Sequence, residues 1–256
     1  IRVIGRIEVL NMLKQKPLMN DEEDVIQLED TELPNRGVLF VVATPIGNME
    51  DITLRALHIL GECDAIVCED TRVAKKLLFR HNISKPLLAI PQRAADEKIR
   101  RIIGMLELGK RVALITDAGT PGVSDPGNEL VASVSENGFR VSPVPGPSAL
   151  GALLSIAGVN MQEFLFKGFP PHKKGRETFF RNVAESAVPI VYYESPYRVV
   201  KNLELLSTLA PEKHIILGRE LTKMFEEVIR GSVAEVLAHY QKNPGKVKGE
   251  FSILVV

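Results

Sequence analysis

From Val38 onward, short apolar runs alternate regularly with amphipathic stretches, and this rhythm constrains the fold more than any other feature. Val38–Ala43 (VLFVVA), Ala65–Cys68, Leu87–Ile90, Val112–Thr116 and Val141–Val144 have the length and β-rich content of strands. Between them lie helical patterns: Leu54–Leu60 after a possible cap at Asp51, Thr71–His81 after Asp70, and Asp96–Leu108 stopped by Gly109. A further helix runs to Asn137-Gly138, with Asp125 as its expected N-cap and Pro126 at its first position. A strand that is apolar at every position must be covered on both faces. Strands of that kind separated by helices imply βαβ crossovers and a mainly parallel sheet.

Pro147–Ala157 reads as a linking helix ended by Gly158, after which the pattern changes. Strands are expected at Phe164–Phe169, Ile190–Tyr193, Ile215–Leu217, Phe225–Gly231 and Phe251–Val256, with helices at Val199–Leu209 and Val233–Tyr240. Closely spaced strands with fewer crossovers point to a mixed sheet. The expected architecture is therefore α/β with two lobes, 37–150 and 151–256, and a cleft between them. Residues 1–36 stand apart: positions 21–32 hold seven acids and no base, which suits a solvated extension or an arm that docks on a partner.

Composition narrows the function. Lys plus Arg and Asp plus Glu number 32 each, so no global basic field draws in nucleic acid, and any RNA affinity must come from a local patch. Two cysteines, Cys63 and Cys68, are too few for a disulfide framework or a structural zinc site, and read as buried thiols. The five histidines are scattered without metal-ligand spacing. No run is long and apolar enough to span a membrane and no signal peptide is evident, so a soluble, cytoplasmic protein is expected.

Three loops at strand ends are rich in Gly and Pro: Thr44–Asn48, Asp117–Gly127 and Pro145–Ala149. In an open α/β sheet, ligands bind beyond the carboxyl ends of the strands. Glycine lets backbone amides approach a ligand, while proline fixes loop shape and reduces the entropy lost on binding. None of the loops reads G-x-x-x-x-G-K-[ST], and the first lacks G-x-G-x-x-G, so phosphate cradling is disfavoured. Rigid loops offering backbone groups and small side chains suit a zwitterionic, partly apolar ligand, a description that adenosylmethionine meets.

The strings VATPIGNMEDITLRAL, CEDTR, DAGTPGVSDPG, PGPSA, KGFPP, YESPYR, RELTK and KGE occur in this order through the chain. Together they resemble the tetrapyrrole-methylase superfamily of S-adenosylmethionine-dependent methyltransferases. Within it they resemble the branch that methylates a cytidine ribose 2′-hydroxyl in small-subunit (16S) ribosomal RNA. The resemblance implies a bilobal homodimer with the cofactor folded into the interlobe cleft, no metal, and ribosomal RNA or the small subunit as partner. It places Pro45, Gly47, Gly119, Thr120, Val123, Ser148 and Ala149 at the cofactor, with Phe169, Tyr193 and Gly249 from the second lobe. The chain departs from its relatives in reading Gln92–Glu97 where they carry a His-Asn pair, and Tyr197 where they carry the His of a Pro-His-Arg string.

Methyl transfer to a hydroxyl needs the oxygen aligned behind the methyl group and a base for its proton. Candidate bases are Glu194, Asp70 and Glu220, with Glu69 and Asp125 also weighed; Asp70 and Asp125 can equally be helix caps. For RNA phosphate, Lys173, Lys174 and Arg176 crowd a stretch made flexible by Gly175, and Arg72 lies in a second basic group. Arg198 and Arg219 are further candidates, unless Glu194 or Glu220 takes them as ion-pair partners. The alternatives to RNA are a small acceptor such as a tetrapyrrole, or a protein that binds the cofactor without catalysis.

Overall fold

The first half of the chain builds a five-stranded sheet whose order is β3-β2-β4-β1-β5, every pair parallel. Its strands are β1 (Val38–Val42), β2 (Ala65–Cys68), β3 (Leu87–Ala89), β4 (Arg111–Leu114) and β5 (Arg140–Val144). The helices between them are α1 (Leu54–Glu62), α2 (Thr71–Arg80), α3 (Ala95–Glu107) and α4 (Asn128–Glu136). This computed structural model describes residues 37–89, 95–125 and 127–256. The expectations for residues 1–36, for the stretch directly after the third strand and for Pro126 fall outside them.

Alternation along each strand explains why the runs are apolar throughout. Ile66, Cys68, Ala113 and Val144 face α1 and α2 through Ala56, Ile59, Leu60, Ala74 and Leu77. Leu39, Val67, Val112 and Leu114 face the other way, onto Ile102, Leu106, Leu130 and Val134 of α3 and α4. With both faces covered, the central strands are apolar throughout except for Arg111 at the half-buried start of β4. Cys63 and Cys68 are buried, unpaired thiols, and burial pushes both thiols upward, Cys68 to about 11.

A single helix, α5 (Ala149–Ser155), leads to a second five-stranded sheet of order β6-β7-β10-β8-β9. Here β6 (Leu165–Phe166) runs parallel to β7 (Ile190–Glu194), while β10 (Phe251–Val255), β8 (His214–Arg219) and β9 (Glu227–Ser232) are joined antiparallel. Three helices, α6 (Arg176–Glu185), α7 (Val199–Leu209) and α8 (Val233–Lys242), pack on one face around Tyr192, Leu217 and Ile253. The opposite face, Val191, Ile216 and Leu254, is covered by Leu153 of α5 and by Ile46 from the loop after β1. Ile46 therefore joins the two halves, and both sheets belong to one compact unit.

Four expectations need correction. Asp51 does not cap α1; it ends a short 3-10 turn, and the Thr53 hydroxyl accepts the Ala56 amide instead. Asp125 does not cap α4, whose N-cap is Gly127 at φ 124°, a conformation closed to a side chain. The expected strand Phe164–Phe169 shortens to two residues, because Gly168 turns left-handed at φ 58°. Only part of the basic stretch stays a loop: Lys173 and Lys174 lie in a turn, whereas Arg176 opens α6 behind Gly175, left-handed at φ 87°.

Candidate active site

The topology brings the three Gly/Pro loops to one edge. Strands β4, β1 and β5 are adjacent and parallel, so the loops after them leave from the same side of the sheet. Helix α1 then packs on one face and α4 on the other, opening a crevice between β1 and β4. The loops are tied together across it. Thr44 and Gly119 exchange two backbone hydrogen bonds of 2.8 and 3.0 Å, and the Thr120 hydroxyl donates to the Pro147 carbonyl at 3.0 Å. Gly119 is left-handed at φ 80°, and a Cβ there would lie 3.4 Å from Ile46, narrowing the crevice.

The second sheet supplies the facing wall. Phe251 pairs with Glu194, so the end of β7 meets the start of β10 at the crevice. The Tyr193 hydroxyl accepts the Leu150 amide at 3.0 Å, anchoring the wall to the first turn of α5. Phe169, half-exposed, sets its ring edge-on to Tyr193 at 5.6 Å. Between the walls lies an open cavity of about 240 Å³. Its lining is mostly apolar (Ile46, Val123, Ala149, Phe169, Phe251), with hydroxyls and carboxylates but no Lys or Arg among the described residues.

Of the residues expected at a cofactor, Gly119, Thr120, Val123, Ser148, Ala149, Phe169 and Tyr193 line this cavity. Pro45, Gly47 and Gly249 lie outside its lining. Gly47 instead lets the loop after β1 close on the second half: a Cβ there would run into Lys223, and the Asn48 amide reaches the Thr222 hydroxyl at 3.2 Å. Gly249, left-handed at φ 84°, makes room for the Glu220 carboxyl group. Sequence reasoning missed Ser195, Pro196, Glu250 and Ser252 in the lining. All four lie in or beside the YESPYR and KGE strings, so the signal was present but pointed only to strand ends.

The three leading base candidates are each tied down. Glu194 has a fully buried side chain that accepts the Ser195 amide at 2.7 Å and the Asn202 side-chain amide, and pairs with Arg198 at 3.1 Å. Asp70 caps α2 and grips Arg72 with both oxygens; the Arg72 side chain, then its amide, hold the carboxyl down at about 2. Glu220, at φ 51°, accepts from Lys223 at 2.9 Å and from the Glu250 amide at 2.9 Å. Partial burial works against its charge, but Lys223 and that amide keep its carboxyl below the usual range.

Several expected phosphate contacts are likewise taken. Arg198 spends its guanidinium on Glu194, the Pro170 carbonyl and the Ser195 hydroxyl. Arg219 is nearly buried and pairs with Glu227 at 3.2 Å, not with Glu220. Arg176 donates to Asn202 at 2.6 Å and to the Lys201 carbonyl at 2.9 Å, locking the start of α6 onto α7. Arg72 is exposed but engaged with Asp70. Lys173 and Lys174 remain exposed and unpaired among the described residues. Among those residues no group of three or more potential ligands lies close enough to hold a metal ion.

Comparisons with known proteins agree with this geometry. Residues 38–237 match the model of the family described as tetrapyrrole (corrin/porphyrin) methylases. The ribosomal RNA small subunit methyltransferase I of Leptospira biflexa is 44% identical over 223 residues, spanning 86% of this chain and 91% of the relative. That of Thermotoga maritima is 39% identical over 219 residues, spanning 86% and 98%. Among solved structures, a cobalt precorrin-4 methyltransferase superposes with TM-score 0.65 at 18% identity, covering 86% of this chain and 95% of that one. With its parallel and mixed sheets, its cavity at their junction and a family match across most of its length, the chain belongs to the tetrapyrrole methylase family.

Proposed function

We propose that this protein is an S-adenosylmethionine-dependent methyltransferase that methylates a cytidine ribose 2′-hydroxyl in small-subunit (16S) ribosomal RNA. The carrying observation is the cavity itself, set within a chain 44% identical to a ribosomal RNA small subunit methyltransferase I. Its walls fit the cofactor chemically. Apolar and aromatic surface at Ile46, Val123 and Phe169 suits the adenosine and thioether parts, while a lining with carboxylates and, among the described residues, no cation suits a sulfonium better than a phosphate. The cofactor supplies an electrophilic methyl group.

The protein's own residues then bind and align. The tied loops Thr44–Asn48, Asp117–Gly127 and Pro145–Ala149 form a preshaped wall, so little ordering is needed on binding. The Glu194–Arg198–Asn202 cluster holds the Ser195-Pro196 turn at the cavity rim. Lys173 and Lys174, free of partners, position RNA phosphate rather than read sequence. We read the first sheet and its helices as one lobe, 37–150, and the second as another, 151–256, because each sheet is built from one side of that boundary. We further read the active form as a cytoplasmic homodimer; the exposed Met224 and Phe225 between β8 and β9 supply apolar surface for association.

The test is transfer of labelled methyl from adenosylmethionine to small ribosomal subunits lacking the modification, followed by nucleoside analysis. A single 2′-O-methylcytidine is expected. Cofactor binding without incorporation into ribosomal RNA would overturn the substrate reading.

A further inference from the structure

With Glu194, Asp70 and Glu220 each committed to partners, one carboxylate in the cavity wall stands apart. Asp125 lines the cavity, half-buried, and makes no hydrogen bond or ion pair with a described residue. Its release from the expected capping role follows from the start of α4 at Asn128 behind the Gly127 cap. The loop that carries it is unusual. Gly119, Gly122 and Gly127 are left-handed, and so is Ser124 at φ 66°, a conformation a non-glycine residue adopts only when its surroundings enforce it. Part of that enforcement comes from the second half, where a Cβ on Gly168 would lie 3.0 Å from the Ser124 hydroxyl.

Among the described residues, the charged groups facing Asp125 are all acidic: Glu69 after β2, Asp117 in its own loop and Glu250 before β10. Tyr193, across the cavity, is neutral, its phenol pushed up by burial. Burial first, then Glu69, Asp117 and Glu250, raise the Asp125 carboxyl to about 6. A carboxylate gripped by a guanidinium is a poor proton acceptor, whereas an unpaired one with its affinity near working pH is a good one.

We propose that Asp125 is the general base for the methyl transfer, taking the proton of the ribose 2′-hydroxyl. This inference rests on the methyltransferase reading above. In the step, the 2′-oxygen forms its bond to the methyl carbon as the carbon–sulfur bond breaks, its electron pair passing to sulfur. The hydroxyl proton moves to the Asp125 carboxylate and from there to solvent. The carboxylate's negative charge and the sulfonium's positive charge disappear in the same step, and apolar walls such as Ile46, Val123 and Phe169 favour that loss of charge separation.

The deciding variant is Asp125→Asn, which keeps shape and removes basicity. Three measurements are made on the full chain: single-turnover methylation of unmodified small subunits against pH, calorimetric binding of adenosylmethionine, and carbon-detected NMR titration of the Asp125 carboxyl in ligand-free wild type. With adenosylmethionine saturating, the expected results are a rate about 10²–10⁴-fold lower in the variant, a cofactor affinity that falls by far less than the rate, and loss of the acid limb that wild type shows. The carboxyl itself should titrate near 6. A variant as fast as wild type with the same acid limb, or a carboxyl that titrates as an ordinary aspartate, overturns the assignment alone. A wild type that binds the cofactor but methylates no small-subunit RNA overturns the substrate reading, and this assignment with it.

Discussion

Replacing Arg198 with Met should destabilise the protein by about 3 kcal/mol, at the lower end of the roughly 3–5 kcal/mol seen when one member of a buried ion pair is removed. The Glu194 side chain is fully buried, and Arg198 is its only cation among the described residues. In the variant the carboxylate keeps two neutral donors, the Ser195 amide and the Asn202 side chain, which is why the lower end is expected. For a chain of this size, about 2–4 °C of melting temperature per kcal/mol translates this into a fall of about 6–12 °C. The assay is reversible thermal and urea unfolding of wild type, Arg198→Met, Glu194→Gln and the double variant. Because the neutral amide introduced by Glu194→Gln needs no cation, the double variant should recover much of the loss, a coupling that identifies the pair rather than lost packing. A single variant within 1 kcal/mol of wild type (roughly the effect of an exposed pair), or a double variant whose losses simply add, would refute the claim that this ion pair holds the rim of the cavity.

Other perturbations have equally specific outcomes. Gly249→Ala should lower stability by about 1–3 kcal/mol, since the residue is left-handed and its Cβ would meet Glu220; calorimetry would read the effect. Tyr193→Phe should cost about 0.5–1.5 kcal/mol by orphaning the Leu150 amide, and should weaken adenosylmethionine binding measured by titration. Lys173→Ala with Lys174→Ala should weaken RNA binding and reduce the salt-dependence slope by about 0.7 per lost single-strand phosphate contact, while leaving cofactor affinity intact. Asp125→Asn should also change stability against pH. The folded carboxyl near 6 lies above its unfolded value, so the native state binds more protons in the window between them and wild-type stability falls as pH rises through it. The variant should therefore be more stable than wild type at neutral pH, with the gap closing once the pH is below the unfolded carboxyl range, as urea midpoints would show.

The two sheets, their helices apart from α6, and the three converging loops were legible in the chain because they depend on local pattern. Val38–Val42, Ala65–Cys68 and Arg111–Leu114 are apolar at nearly every position only because both faces are covered, and such runs can hardly be anything but central strands. The Gly- and Pro-rich loops were legible for a similar reason, since their composition is rare outside turns that must adopt unusual backbone shapes. What a charged side chain does is a different kind of fact. Arg176 looked like an RNA contact and proved to bind Asn202, because only folding brings α6 and α7 together. Glu194 looked like either a base or an ion-pair partner, and the fold buries it against Arg198; Gly47 looked like a cofactor contact, and in the fold it clears space for Lys223. Asp125 looked like a helix cap until Gly127 took that place, leaving its carboxylate in the cavity wall. Backbone preference and hydrophobic period act over a few neighbouring residues, so the sequence alone determined the layers and the edge where a ligand could bind. The partner of a charge is set by distances between segments far apart in the chain, so tertiary structure alone decided which carboxylates and cations remained free to act.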